Sequence, residues 1–185
     1  MKLIIIEGPD NCGKDTLIMK ILEQYPTITI IHCSKPISKK YSAKEQDLLF
    51  ETYINNICDG KYNNTHIILF NRGFHGEFVY GTLYRKRLEY EVESMIHNLE
   101  KKLLSNNIDV KYIQLISSNY ELLVKNEDGK SLSDGNLNKI EMECIKFLKV
   151  FEQSILEKKL VYINNGDKFR SRESILNEVL SFINN

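Results

Sequence analysis

The sequence predicts an α/β domain built on a parallel sheet. Three observations carry this. Five short, nearly continuous apolar runs are rich in β-branched residues, as strands buried on both faces are. Segments with the apolar spacing of helices lie between them, and alternating strands and helices make a parallel sheet. The 185 residues suit one domain, so 1–185 is read as a single unit.

The first strand is Lys2–Ile6, where Leu3-Ile4-Ile5-Ile6 presents no polar side. A helix over Lys14–Gln24 follows from the apolar spacing in Thr16-Leu17-Ile18-Met19-Lys20-Ile21-Leu22. Ile28–Cys33 is the second strand and Ala43–Asp59 the second helix. The third strand, His66–Phe70, ends in Ile67-Ile68-Leu69-Phe70. A helix over Leu88–Ser105 leads to the fourth strand, Val110–Ile116. A helix over Leu137–Leu156 leads to the fifth, Leu160–Ile163, and a helix over Ser174–Ile183 closes the pattern. The polar segments Ser34–Ser42 and Lys125–Asn136 are expected to be mobile loops. The second carries Asp128-Gly129 and Asp134-Gly135, which mark turns.

Composition excludes several functions. Lys and Arg total 25 and Asp and Glu total 25, so no basic field points to stable nucleic-acid binding. No apolar run is long enough to cross a membrane, and Leu3–Ile6 is too short for a signal-peptide core. Cys12, Cys33, Cys58 and Cys144 lie far apart with no Cys-x-x-Cys pair. That argues against a disulfide framework or a cysteine metal site, and for a reducing, cytoplasmic setting.

Chemistry enters directly after the first strand. Gly8 to Thr16 read Gly-Pro-Asp-Asn-Cys-Gly-Lys-Asp-Thr. A phosphate-binding loop needs Gly, four residues, Gly, Lys, then Ser or Thr. Gly8, Gly13 and Lys14 fit; Asp15 stands where the hydroxyl belongs, and Thr16 follows. Two glycines let successive N–H groups, including those of Asn11 and Cys12, curl around an anion. The helix starting near Lys14 adds the positive end of its dipole. Lys14 reaches the outer phosphates of a nucleotide triphosphate. A chance glycine-rich turn is the competing reading, and the order strand, loop, helix disfavours it.

The third strand is followed by Asn71-Arg72-Gly73-Phe74-His75-Gly76-Glu77-Phe78-Val79-Tyr80-Gly81-Thr82-Leu83-Tyr84-Arg85. In open α/β sheets ligands bind beyond the carboxyl ends of the strands. Arg72 is placed there, and a guanidinium holds a phosphate in a fork.

These residues resemble the thymidylate kinase branch of the P-loop nucleoside monophosphate kinases. The likeness rests on Ile6-Glu7-Gly8-Pro9-Asp10, on the strand-end pair ending in Arg72, and on Tyr80 nine residues after Asn71. His75-Gly76-Glu77, with Tyr80 and Arg85, is most similar to viral members. The resemblance implies a P-loop kinase fold: a five-stranded parallel sheet with helices on both faces and a small lid at about 125–136. It implies Mg²⁺-dependent transfer of the ATP γ-phosphate to a deoxynucleoside monophosphate. The partners would be small nucleotides, and a homodimer through the 88–105 helix would fit. A viral member would work in the host cytoplasm.

Residue by residue, the resemblance gives Lys14 the transferring phosphate and Arg72 the acceptor phosphate. Asp10 approaches the sugar 3′-hydroxyl, and Tyr80 lines the deoxyribose. Phe50, in Leu48-Leu49-Phe50, either stacks on the base or fills an apolar helix face. Asn71, His75 and Arg85 are acceptor-side candidates. Lys35, in His32-Cys33-Ser34-Lys35-Pro36 after the second strand, supplies a cation.

The chain departs from that family in three places. Asp15 replaces the metal-binding hydroxyl; it either binds Mg²⁺ itself, as a hard oxygen ligand can, or caps the helix. Asn71 stands where the family has Asp. Ile54 occupies the position, four after Phe50, where the family often reads thymine with Arg. The lid offers only Lys125 and Lys130 as cations. The alternatives are a deoxynucleoside kinase, or a nucleotide-binding partner protein with weakened catalysis. Asn71 and the acid-free segment His32-Cys33-Ser34-Lys35-Pro36 favour an anionic acceptor, because a hydroxyl acceptor wants a carboxylate base.

Overall fold

The computed structural model describes residues 1–33, 42–62 and 65–185. Five strands form one parallel sheet: β1 (Lys2–Glu7), β2 (Thr29–His32), β3 (Ile67–Asn71), β4 (Asp109–Ile116) and β5 (Glu157–Tyr162). Their order is β2-β3-β1-β4-β5. β1 therefore runs in the middle, with Ile6 opposite Asn71 on one side and Ile113 on the other. The winding reverses beside β1, and that opens a crevice at the carboxyl ends of the strands.

The helices are α1 (Lys14–Gln24), α2 (Ala43–Cys58), α3 (His75–Tyr84), α4 (Glu89–Ser105), α5 (Tyr120–Lys125), α6 (Leu137–Gln153) and α7 (Arg172–Asn184). They fall into two packed groups: α1 with α7, and a chain of contacts that runs from α2 to α4, α3, α6 and α5. β4 is buried from Val110 to Ile116, so side chains on both faces of the sheet are covered. Leu3, Ile4, Ile5 and Ile6 have no exposure at all and form the centre of the core.

The expected strands and five expected helices are present, with shifted ends. α6 stops at Gln153 rather than Leu156, because Ser154 turns extended and gives its hydroxyl to Glu100. α7 starts at Arg172, capped by Ser171 Oγ, which accepts from Ser174 N at 3.1 Å. Three elements were not expected. α3 is buried from His75 to Gly81, so it shows no amphipathic stripe. α5 is a short helix before the lid. A small antiparallel hairpin, β6 (Asn164–Asn165) with β7 (Lys168–Phe169), turns through Gly166 at φ 58°. The segment expected as a lid, about 125–136, takes in the end of α5 at Lys125 and then irregular chain and turns up to α6. Among the described residues no helix is long and apolar enough to cross a membrane.

Candidate active site

The loop after β1 needs glycine where the motif places it. Gly8 has φ 149°, and a Cβ there would sit 2.6 Å from the Leu115 carbonyl oxygen. Gly13 is left-handed at φ 83° and caps α1 with no side-chain bond, which leaves the first-turn amides to an anion. Lys14 is buried. Its Nζ donates to the carbonyls of Gly8 (2.8 Å) and Pro9 (2.6 Å) and lies 3.6 Å from Cys12 Sγ. A phosphate oxygen arriving here competes with loop carbonyls for the same ammonium.

Asp15 and Asn71 meet at the foot of this loop. Asn71 Nδ2 donates to Asp15 Oδ1 at 2.7 Å and lies 3.2 Å from His32 Nδ1. Asn71 Oδ1 is buried and has no hydrogen-bond partner among the described residues.

Arg72 follows β3 in a left-handed conformation, φ 67°, with its N–H bonded to the Ile6 carbonyl at 3.0 Å. This turn aims the half-buried guanidinium across the crevice to Asp10, with which it forms an ion pair. The same guanidinium lies 5.8 Å from the centre of the Tyr80 ring. The Tyr80 hydroxyl is buried without a hydrogen-bond partner among the described residues.

Three adjoining cavities meet at these residues. The first is lined by Glu7, Cys33, Gln46, Phe50, Arg72, Gly73, Gly76, Glu77, Tyr80, Arg85 and Leu132. The second joins Asp10, Asn11, Gly13, Lys14, Asp15, Thr16 and Arg72 to Asn126, Asp128, Lys130 and Ser131 of the lid. Asn11 Nδ2 ties lid and loop by donating to Glu127 Oε2 at 3.1 Å. The third lies between the loop, Asn126, and Phe169, Arg170 and Arg172 beyond β5. Arg72 is common to the first two, and Asn11, Gly13, Thr16 and Asn126 to the last two. The arrangement suits a triphosphate in the middle, a donor base on one side and an acceptor on the other.

Most sequence-derived site residues converge there, and some do not. Phe50 lies on the buried face of α2 and packs edge-on to Phe74 with ring centres 6.3 Å apart, and it also lines the first cavity. Arg85 lines that cavity while paired with Glu77. His75 is a correction. It has no exposed surface, bonds Glu100 at 2.9 Å and stacks on Tyr112 at 4.1 Å, so it supports α3 from inside the core. Ile54 is wholly buried one turn below Phe50, so that position faces the core rather than a base. Lys125 ends α5, exposed and outside all three cavities, whereas Lys130 lines the middle one. Lys35 lies outside the described residues.

Sequence reasoning missed Gln46, one turn before Phe50 on the same buried face of α2. The four-residue spacing was a usable signal. It also passed over Glu77, which takes Arg87 at 3.4 Å as well as Arg85; Arg87 in turn grips Asp47 with two bonds of 2.7 Å. Glu143 of α6 was invisible too. It is buried, accepts from the Tyr84 hydroxyl at 2.5 Å, and has its pKa pushed up to about 7, chiefly by burial and also by nearby Asp10. Nothing in the sequence marked Phe169, Arg170 or Arg172.

No family model matches this sequence. No curated protein sequence matches it either. Solved structures do match its fold. The YorR protein of Bacillus subtilis, in complex with phosphorylated GDP, superposes with a TM-score of 0.71 at 16% identity, covering 99% of this chain and 96% of that one. Thymidylate kinase from Ehrlichia chaffeensis gives 0.64 at 10% identity, covering 97% of each chain. Deoxyadenosine kinase from M. mycoides, with dCMP and dCDP bound, gives 0.59 at 11% identity and 98% coverage of each. The chain has the P-loop kinase fold. Identity this low establishes the fold alone.

Proposed function

We propose that this protein transfers the γ-phosphoryl group of ATP to the phosphate of a deoxynucleoside monophosphate, with dTMP among its acceptors. The observation that supports this best is the place of Arg72, in the shared wall of the phosphate chamber and the acceptor cavity. A guanidinium there holds an acceptor phosphate against the donor chain. An acceptor phosphate oxygen then attacks the γ-phosphorus, the bond to the β–γ bridging oxygen breaks, and ADP departs with the electron pair. The acceptor oxygen is already anionic, so alignment and charge neutralisation do most of the work. Lys14 follows the charge on the transferring group. Tyr80 and Asp10 face the sugar, and Phe50 and Gln46 the base.

The residues present fit Mg²⁺. Asp15 offers a hard carboxylate in the phosphate chamber, the oxygen ligand such an ion takes. Asp15 would hold the ion, which would supply neutralisation of the phosphate charge.

One observation favours a deoxynucleoside kinase instead: the Glu7 carboxylate lines the acceptor cavity, and a hydroxyl acceptor needs such a base. Purified protein with ATP, Mg²⁺ and a panel of deoxynucleotides and deoxynucleosides decides between them. Deoxynucleoside diphosphates and ADP in equal amounts are expected. Phosphorylation of deoxynucleosides alone overturns the reading, as does turnover of neither class.

A further inference from the structure

We infer that Glu7 is a positioning residue that builds the acceptor side of the site by holding Arg72 and α3 in place. Glu7 is the last residue of β1 and is 1% exposed. Its Oε1 accepts from Gly73 N at 2.7 Å and from Gly76 N at 2.8 Å. One carboxylate oxygen thus fastens the residue after Arg72 and the first turn of α3. Both need fastening. Arg72 is a non-glycine residue in a left-handed backbone, a conformation that persists only where the surroundings fix it. α3 begins after Phe74, whose side chain makes no capping bond; Glu77 N reaches the Phe74 carbonyl at 3.2 Å, and the Gly76 amide one residue earlier needs an acceptor from elsewhere. Glu7 supplies that acceptor from another strand, with its negative charge at the positive end of the helix.

The glycines leave room for this and nothing else. A Cβ on Gly73 would lie 2.9 Å from Ile5 Cγ2, and one on Gly76 would lie 3.2 and 3.3 Å from the two Glu7 oxygens. The strand register brings the parts together, since Ile6 pairs with Asn71 and so sets Glu7 beside the Arg72 turn. Downstream, α3 carries Glu77 and Tyr80 into the acceptor cavity. A loosened Glu7 contact therefore displaces Arg72 and Tyr80 together, while the phosphate loop, which starts at Gly8 and closes through Lys14, keeps its own bonds.

Two variants separate reach from charge. Glu7→Gln keeps the length and one carbonyl oxygen, so both amide bonds can form. Glu7→Asp keeps the charge but is one methylene short of both amides. In hydrogen–deuterium exchange, peptides spanning 72–78 should exchange roughly tenfold faster in Glu7→Asp than in the wild type, with Glu7→Gln close to the wild type. In kinetics, Glu7→Asp should raise the acceptor KM roughly tenfold or more and leave the ATP KM within about twofold, while Glu7→Gln recovers most of the loss. Wild-type exchange in Glu7→Asp, or a Glu7→Gln variant more damaged than Glu7→Asp, overturns the inference. The kinetic consequence rests on the proposed monophosphate kinase activity; the exchange consequence does not. A wild type without transfer activity therefore refutes that function, and the exchange order still judges Glu7.

Discussion

Asn71 donates from Nδ2 to Asp15 Oδ1 at 2.7 Å. Two departures from the thymidylate kinase pattern are thereby one bonded pair. A carboxylate at 71 would set two anionic oxygens at hydrogen-bond distance, with phosphates to be bound above them. Like charges that close cannot both stay ionised without cost. The neutral amide converts a repulsion into a bond. It also turns its own oxygen, which is buried, away from that contact. Where the pattern it resembles has a hydroxyl after the loop lysine and an acid at the end of β3, this chain has an acid at the start of α1 and an amide at the end of β3, with the same local charge.

On the proposed reading Arg72 grips the acceptor phosphate rather than ATP, and Arg72→Ala should then damage monophosphate use selectively. A charge-assisted contact is worth about 1.5–3 kcal/mol, so the acceptor KM should rise roughly ten- to hundred-fold. ATP binding, measured directly, should change little. A variant that loses ATP affinity and keeps its acceptor KM shows that the two sides of the site are assigned the wrong way round.

Base selection should be broad. Ile54 lies in the core and reads nothing, and Gln46 is the polar side chain beside Phe50 in the cavity. Strong rejection of a wrong base comes from leaving buried polar groups unpaired. A single amide presents both a donor and an acceptor and suits more than one base edge. The expected result is phosphorylation of dTMP and at least one other deoxynucleotide, with Gln46→Leu flattening the differences between them. Strict dTMP preference in a panel with dUMP, dCMP and dGMP contradicts this.

Burial of Glu143 should make stability fall as pH rises. Its carboxyl is raised from 4.5 to about 7 in the fold, first by burial. Below pH 4.5 folded and unfolded chains both hold the proton, and no penalty exists. Above it the unfolded chain releases the proton and the folded chain keeps it until about pH 7. The folded state binds more protons across that window, so stability drops by up to about 3 kcal/mol and then levels. Glu143→Gln keeps an acceptor for Tyr84 and should abolish the drop. Wild-type and Glu143→Gln melting curves that stay parallel from pH 5 to pH 8 would refute the assignment.

The sheet was legible because Leu3–Ile6 and Ile67–Phe70 are buried on both faces and read as unbroken apolar runs. The glycines of the loop after β1 were legible because backbone geometry sets their spacing, and the place of Arg72 beside the cavities because strand ends border the crevice. α3 was not. Helices are recognised by one apolar stripe, and α3 is buried from His75 through Gly81. That burial is also why His75, chosen for its place in the chain, proved to be core. Gln46 was within reach of its four-residue spacing to Phe50, whereas Glu143 meets Tyr84 only through packing between α6 and α3, which no local pattern reports. Glu7 stood in plain view within Ile6-Glu7-Gly8, but its bonds to Gly73 and Gly76 depend on the β1–β3 register.

The role of Asp15 can be read from its metal dependence. As a Mg²⁺ ligand, its loss in Asp15→Ala removes a hard oxygen from the phosphate chamber, so the half-saturating Mg²⁺ concentration should rise and transfer should slow. Asp15→Ser restores the hydroxyl that the loop usually carries and should recover much of the activity. Asp15 is not the cap of α1, which is Gly13; as no more than an acidic residue in the first turn it would contribute about 1 kcal/mol or less through the helix dipole, and neither change would move the Mg²⁺ requirement. The bond to Asn71 sharpens the test, because a carboxylate at 71 would stand at hydrogen-bond distance from an ionised Asp15. Asn71→Asp alone should therefore be impaired, and Asp15→Ser with Asn71→Asp should regain activity, a non-additivity expected of touching residues. Activity titrated against Mg²⁺ for the three single variants and the double variant checks both points. An unchanged half-saturation in Asp15→Ala excludes the ligand role, and strictly additive effects of Asp15→Ser and Asn71→Asp exclude the exchange of one acid for the other.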